Sequence, residues 1–204
     1  STAVYTGSAP TTPTEPQTTP RSTDAFFTGV GLEIKDYSSN NRTFTPPAAL
    51  ELQATAPYDY TQYSSAVNGG SMYFDGNGDY LSISNDATLT IGTGDFTAEC
   101  WIFVENGASL TSFPAGSLAV IANGNALRLR SNSDVRGQWT HVACARESGT
   151  LRLFVNGSLT ESTSDSTNYT ATNPTLIGLS NAGQSNYWLG YVADARFVKG
   201  AAVY

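Results

Sequence analysis

The most evident shortage in this 204-residue sequence is one of charge. Charged side chains make up 13% of the residues, against about 25% in an average globular protein. The 10 Lys and Arg residues are outnumbered by 17 Asp and Glu residues, which gives a net charge of −7. A protein that binds nucleic acid needs clustered cations to neutralise the phosphates. The composition therefore argues against a nucleic acid partner.

Long apolar runs and cysteine pairs are scarce as well. No stretch approaches the roughly 18 apolar residues of a membrane-spanning helix, so we expect no membrane insertion. No basic-then-apolar leader opens the chain, although its start at Ser1 is compatible with a signal peptide that has been removed. Two cysteines do not make a disulfide framework. We predict that Cys100 and Cys144 are small buried residues, with a bridge as the alternative if their strands pair.

Residue types that carry catalysis are few. The one histidine, His141, lies inside the strand-like run 139–143, and we interpret it as structural. A Ser-His-Asp or Cys-His site would have to use it, and one His with two separated Cys cannot form a zinc site. Enzymes that cleave glycans need two carboxylates a few ångströms apart. Glu99 is the only acidic residue within the run 96–104, so we predict that the protein is not an enzyme.

Short strand-like runs separated by turn residues fill most of the chain. Their regular spacing is typical of a β-sandwich, and helical periodicity is missing apart from a turn near 86–90. Asn123-Gly124-Asn125 and Asn156-Gly157 are typical of tight hairpin turns. We predict an all-β chain whose residues 24–204 form a two-sheet antiparallel β-sandwich. The predicted strands are 25–35, 71–74, 79–84, 96–104, 118–122, 126–130, 139–146, 150–155, 175–179 and 188–198.

Residues 1–23 have a different composition. Proline recurs every few residues from Pro10 to Pro20, which fixes the backbone φ angle and removes hydrogen-bond donors. We predict an extended, Pro/Thr-rich arm with polyproline-like geometry and no core of its own. Such an arm can be a spacer or can lie along the surface of a partner protein. A floppy terminus is the remaining interpretation.

The motifs of residues 25–204 follow one another in a specific order. Strand-like runs flank Asp75–Asp79, and are followed by Asp95–Val104, Gln138–Ala143, Leu151–Gly157 and Gly190–Phe197. This series resembles the laminin-G-like domain, a concanavalin A-type jelly roll. The resemblance implies an antiparallel jelly-roll fold.

Further motifs narrow the resemblance. Asp36–Asn41, Pro57–Tyr60, Gly69–Leu81 and Val198–Tyr204 resemble laminin-G-like domains in virion proteins of tailed phages, particularly cyanophages. The resemblance implies a non-catalytic structural protein of the virion, a capsid decoration or a tail or fibre component. It implies that residues 1–23 contact other virion proteins, that copies can assemble into a homo-oligomer within the particle, and that the domain can bind host-surface glycans.

Two places in the sequence are candidates for calcium binding. Asp75, Asn77 and Asp79 offer oxygen ligands at alternate positions, as calcium loops do. However, a tyrosine stands where such loops demand glycine, and a hairpin between the flanking strands explains the run without an ion. The family resemblance implies Asp194 in the last strand as a second candidate, although Ala193 replaces the first of the family's two acids. We expect no required cofactor, with calcium as the alternative.

A glycan site needs aromatic surfaces with hydrogen-bonding groups beside them. The segment 181–188 supplies such groups just before the final strand, and we predict Asn186, Tyr187 and Trp188 as carbohydrate-binding residues. Trp188 fits a core position equally well, because it opens that strand.

Three functions remain, with different signatures. A virion protein would have an ordered arm on a neighbouring subunit. A secreted bacterial carbohydrate-binding module, detached from its enzyme, would have a free arm and an aromatic groove. The third function is that of an enzyme with an unfamiliar site. We favour the virion protein.

Overall fold

The computed structural model describes residues 23–30, 33–36, 40–45, 50–53, 70–84, 86–105, 119–122, 126–131, 134–170, 175–179 and 187–204. The predicted arm at residues 1–23 lies outside these ranges, apart from Thr23. Within them, no helix is long and apolar enough to cross a membrane.

The regular structure of the described residues is almost entirely β. One 3₁₀ turn at Ala87–Leu89 confirms the turn that the sequence predicts near 86–90. The strands are β1 (Thr23–Val30), β2 (Glu33–Asp36), β3 (Glu51–Gln53), β4 (Ser71–Asp75), β5 (Leu81–Ile83), β6 (Phe96–Val104), β7 (Ala119–Ala122), β8 (Ala126–Arg130), β9 (Trp139–Glu147), β10 (Thr150–Val155), β11 (Ser158–Ser164), β12 (Thr175–Ile177) and β13 (Leu189–Lys199).

A nine-stranded antiparallel sheet forms the main layer. Its strands run in the order β11-β10-β9-β6-β13-β1-β2, with β4 beside β13 and β3 beside β4. β13 is central, because one of its edges pairs with β6 while the other pairs first with β4 and then with β1. The last strand of the chain therefore ties together segments from both ends of the sequence.

Two small sheets, β5–β12 and β7–β8, form the second layer. Leu81 and Ile83 of β5 share an apolar cluster with Ile102 of the main sheet. Leu129 of β8 packs in the same way with Leu151 of β10. The prediction of an all-β, two-layer antiparallel sandwich is confirmed.

Both faces of β6 are largely buried, as its sequence predicts. Ile102 points into the core between the layers, on the face that we call the inner face. Thr97, Glu99 and Trp101 alternate with it and are at most 5% exposed. They lie on the outer face, the face of the nine-stranded sheet turned away from the two small sheets. The outer face therefore carries a cover of its own.

The two cysteines lie on the inner face of adjacent strands. Cys144 pairs with Ala98, and Cys100 pairs with Val142, so the two thiols are diagonal neighbours. Both are free, and the predicted alternative of a bridge is not formed. Burial raises the pKa of each thiol to about 12. Because the thiolate is the reactive species, these cysteines are inert packing residues.

The predicted single strand 25–35 is wrong. The structure divides it into β1 and β2, which pair antiparallel with Val30 opposite Glu33. A connection this short is a hairpin, and Gly31 is the residue in the sequence that suits such a turn. The alternating apolar residues on both sides of Gly31 conceal the reversal, since each half by itself is typical of a strand.

The predicted hairpin at Asp75–Asp79 is also wrong. β4 belongs to the nine-stranded sheet, whereas β5 pairs with β12 in the second layer. The turn, with positive φ at Gly76 and Gly78, carries the chain from one layer to the other. The physical reason is burial: Met72 and the apolar residues of β5 face each other across the core, and paired neighbours in one sheet could not do so.

Candidate functional site

Glu99 is the acidic residue that the sequence offers for catalysis, and the structure gives it another role. Its side chain is 1% exposed. Oε1 accepts a hydrogen bond from the guanidinium of Arg196 in β13, and Oε2 accepts one from the Tyr204 hydroxyl. His141 Nε2 lies 3.2 Å from Oε2. With both oxygens engaged, Glu99 anchors β6 to β13 and to the C-terminal residues.

Burial lowers the pKa of His141 to about 4. This desolvation outweighs the attraction of the Glu99 carboxylate, which also binds Arg196. His141 is therefore neutral in the folded protein at pH values where a histidine in the unfolded chain, with its ordinary pKa of 6.5, takes up a proton.

We expect acid to destabilise the protein through His141. Between about pH 6.5 and 4 the unfolded state binds a proton that the folded state does not, so the free energy of unfolding should fall by up to about 3 kcal/mol as the pH is lowered. Urea unfolding at a series of pH values measures the fall. In His141→Gln this part of the pH dependence should disappear. If the variant keeps the wild-type slope, other groups cause it.

The predicted calcium residues are not brought together. Asp75 and Asp79 share the turn after β4, where Asp79 Oδ2 accepts a hydrogen bond from the Asp75 amide (3.2 Å) and Asp75 Oδ1 accepts one from the Asn77 amide (2.6 Å). Leu189 pairs with Asp75, which places Asp194 on the order of 16 Å further along β13. No group of three His, Cys, Asp or Glu suited to a metal ion occurs in the described part of the chain. The calcium site stays a prediction.

Of the three predicted glycan residues, the structure describes Tyr187 and Trp188, and both are half-buried. Trp188 packs against the apolar cluster between the layers, which is the core position kept as its alternative. Its indole N–H finds no acceptor among the described residues. Tyr187 is half-buried and bridges to Leu179. Asn186 lies outside the described residues. For Asn186 and Tyr187 the glycan role stays a prediction.

Four aromatic side chains form one line across the outer face of the sheet. Tyr73 of β4 pairs with Tyr191 of β13, Tyr191 with Phe103 of β6, and Phe103 with Trp139 of β9. Neighbouring ring centroids are 4.9, 5.8 and 5.8 Å apart, and each residue is half-buried. We call these four residues the aromatic row. Directly paired residues share a face, so the row is continuous over four strands.

The length of the aromatic row and the angles between its rings limit the shape of a ligand that can lie on it. Three strand spacings give it a length on the order of 14 Å. Successive rings are inclined to one another by 45°, 84° and 65°. The row is therefore a series of separate ring faces, suited to consecutive small units of a chain, and differs from a flat platform.

Two carboxylates border the aromatic row. Asp75 follows Tyr73, and Glu105 follows Phe103, by two residues each, so both acids continue the outer face one step beyond the row. Desolvation is the main cause that raises the pKa of the Tyr73 hydroxyl. The charge of Glu105, the neighbouring Tyr191, a hydrogen bond to Glu105 and the charge of Asp75 raise this pKa further. Tyr73 therefore remains a neutral hydrogen-bond donor beside two acceptors.

The C-terminal residues cover the other part of the outer face. Thr97 Oγ1 donates to the Ala201 carbonyl (3.2 Å) and accepts from the Val203 amide (3.0 Å). The Tyr204 ring lies 5.2 Å from that of Phe154. The segment 200–204 thus seals the sheet around Glu99. In the described structure, the aromatic row keeps its rings half-exposed.

Sequence reasoning missed the aromatic row. Each of its members stands on the outward phase of its own strand, which is the signal that the sequence does contain. To align four such residues requires the strand order β4-β13-β6-β9 and the register of each pair. The four aromatic residues are separated by up to 118 positions in the chain. They come into line only when the sheet forms, so the sequence alone does not show their alignment.

Comparison with known proteins supports the fold. The sequence profile of the Laminin_G_3 family, described as the concanavalin A-like lectin/glucanases superfamily, matches residues 75–202. No curated protein matches the chain.

Among solved structures, the binding domain of Paraclostridial Mosquitocidal Protein 1 has a TM-score of 0.67 at 11% identity, over 89% of this chain and 50% of that one. The receptor binding domain of botulinum neurotoxin D has a TM-score of 0.64 at 14% identity, over 90% and 50%. The ligand binding domain of botulinum neurotoxin serotype D, in complex with N-acetylneuraminic acid, has 0.62 at 13%, over 90% and 49%. The chain spans about half the length of these structures, and identities this low show the fold alone.

Proposed function

The chain belongs to the concanavalin A-like lectin/glucanases superfamily, and from that membership we propose that it is a non-catalytic, lectin-like module that binds host-surface glycans. The single observation that carries the proposal is the aromatic row. It offers four adjacent, half-exposed rings on a sheet face whose remaining part is covered by the chain itself. The receptor-binding role of the toxin domains with this fold is consistent with it.

Glycan binding at the aromatic row follows from the chemistry of its parts. The apolar faces of sugar rings can pack on aromatic faces, which carry large apolar area at low cost in side-chain entropy. The carboxylates of Asp75 and Glu105 can accept hydrogen bonds from sugar hydroxyls, and these bonds fix the orientation of the sugar. Contacts of this type are individually weak. Several copies on one particle would convert them into stable attachment.

The absence of catalysis is part of the proposal. A glycosidase needs one carboxyl that holds a proton and a second that carries charge. Glu99 lies under Tyr204 with both oxygens bonded. Within the described residues it has His141 beside it and no second acid. The arrangement supports a role in stability.

We place the module on a tailed-phage virion, as a capsid decoration or a tail or fibre component. The phage-like motifs at Asp36–Asn41, Gly69–Leu81 and Val198–Tyr204 support this location. Residues 1–23 would contact other virion proteins. Immunogold labelling of purified particles is expected to mark their exterior, and particles that lack the chain would contradict the location.

Loss of one aromatic ring should weaken glycan binding. We expect Trp139→Ala, and separately Tyr191→Ala, to reduce affinity at least about fivefold, since truncation of a central aromatic contact typically costs more than 1 kcal/mol. A glycan array, read with calcium and with a chelator, measures the change. Leu159→Ala on the exposed surface of β11 is the control.

Thermal unfolding of each variant verifies that it is folded. Unchanged binding by folded Trp139→Ala would contradict the site, and no binding by the wild type would contradict the function. Equal glycan binding with calcium and with the chelator would mean that binding does not require calcium.

A further inference from the structure

We infer that the aromatic row selects uncharged oligosaccharides, and that Asp75 and Glu105 exclude glycans with acidic sugars. The inference rests on the proposed glycan-binding function and names the ligand class of that same site. The N-acetylneuraminic acid in the complex of the toxin domain is an anionic sugar. The present chain would therefore differ from that domain in the ligand it accepts.

The position of the two acids carries the inference. The strand register puts Asp75 opposite Leu189, and Val104, the residue before Glu105, opposite Gly190. Both carboxylates therefore border the same long side of the aromatic row. A sugar that lies on the Tyr73 and Tyr191 rings would have its substituents beside them.

Among the side chains that the structure describes, no cation pairs with Asp75 or Glu105. Arg136 lies at the same end of the sheet, because it bridges to Val104. Its guanidinium is bound to the Asp134 carboxylate at 2.7 Å, so the pair adds no net charge. Asp75 is exposed and Glu105 is half-buried. Their negative charge thus acts on whatever occupies the row.

The physical consequence is a penalty for anionic ligands. Each of two carboxylates near a surface weakens the binding of a third by about fivefold at contact distances, which corresponds to on the order of 1 kcal/mol each. Neutral sugars incur no such penalty, and their hydroxyls can donate hydrogen bonds to the same oxygens. The two carboxylates therefore make the aromatic row discriminate between neutral and anionic ligands.

The length of the row defines the second property of the ligand. Four rings at separations of 4.9–5.8 Å can each contact a different unit of a chain. The inclination between neighbouring rings disfavours a flat crystalline polysaccharide. The class is thus a soluble, neutral oligosaccharide of several units that runs across the strands.

Matched glycan pairs test the inference. We would array lactose-terminated tetrasaccharides with and without a terminal N-acetylneuraminic acid, and cello-oligosaccharides with and without oxidation of their primary alcohols to carboxylates. The wild-type chain is expected to bind the neutral member of a pair at least about tenfold more tightly. In the double variant Asp75→Asn/Glu105→Gln the ratio should approach one. High salt should reduce it as well, because salt screens exposed charges.

Glu161→Gln on β11 is the control, since it removes one exposed charge away from the row. Two results would overturn the inference and leave the proposed function standing. One is binding through the row with equal or higher affinity for the acidic member of a pair. The other is a ratio of neutral to acidic affinity that the double variant leaves unchanged. No binding of any pair, or binding that Trp139→Ala does not affect, overturns the proposed function and the inference with it.

Discussion

Replacing Arg146 by methionine is expected to lower the free energy of unfolding by about 3–5 kcal/mol. Arg146 in β9 is fully buried, and its guanidinium lies 3.0 Å from the equally buried carboxylate of Asp165. The remaining donors of the guanidinium serve backbone groups. They bond to the carbonyl groups of Gly92, Gly94 and Thr167.

The methionine would leave the buried Asp165 carboxylate without its cation, and the carbonyl groups of Gly94 and Thr167 without the guanidinium donor. An unsatisfied buried carboxylate or carbonyl retains its full desolvation cost. The variant also loses the contacts of the guanidinium with the rings of Phe96 and Tyr169, whose centroids lie 5.3 and 4.9 Å from its central carbon. Arg146 thus connects the loop at 92–94 with the segment after β11, and its loss affects both.

Urea unfolding measures the loss, and the chain offers a matched control. Arg152 lies on the neighbouring strand and pairs with Glu147 at 3.4 Å, but both side chains are partly exposed. Arg152→Met should therefore cost less than about 1 kcal/mol. Equal effects of the two substitutions would mean that burial does not determine the contribution of Arg146.

The sequence contains the strands of the core region in a form that can be recognised. Alternation defines β6 at Phe96–Val104, and β10 at Thr150–Val155, to the residue. Asn156 and Gly157 both have positive φ, which is the geometry that an Asn-Gly hairpin turn predicts. These features are local, because a few neighbouring residues determine them.

The assignment of strands to layers is not local. Only residues 76–80 separate β4 from β5 in the chain, yet the two strands belong to different sheets. The turn residues permit a hairpin equally well. The choice is made by burial across the core, between Met72 and the side chains of β5, and the sequence does not reveal which distant strands will compete for each edge.

The stabilising ion pairs escape sequence analysis for the same reason. Arg196 and Glu99 are separated by 97 positions, and nothing in either segment indicates the other. A signal does exist in the pattern: Arg146 ends a run of small and apolar strand residues, and Arg196 stands between Ala195 and Phe197 in another. A charged residue in such a place requires a buried partner, although its identity comes only from the fold.

Replacing Glu99 by alanine is the second substitution for which we expect a loss of about 3–5 kcal/mol. It removes the carboxylate that binds the buried guanidinium of Arg196, the Tyr204 hydroxyl and, at 3.2 Å, the His141 ring. The contact between β6 and β13 and the anchoring of the C-terminal segment are weakened together. Chemical unfolding followed by tryptophan fluorescence measures the effect.

The double variant Glu99→Met/Arg196→Met distinguishes a buried pair from two independent contributions. Apolar residues of similar volume often replace a buried ion pair without loss, so the double variant should be more stable than Glu99→Ala by at least about 2 kcal/mol. The coupling is detected as a departure from additivity in the corresponding cycle of single variants. Additive losses would mean that Glu99 and Arg196 act separately.

The same double variant tests whether the Glu99–Arg196 pair contributes to glycan binding as well as to stability. Glu99 lies on the order of 13 Å along β6 from Phe103, under the C-terminal segment and away from the aromatic row. A non-catalytic module that binds through the row should therefore keep its glycan affinity when the ion pair is replaced, provided that it remains folded. A stable double variant that no longer binds would place Glu99 in contact with the glycan, and the division of the outer face into a sealed part and a binding part would be wrong.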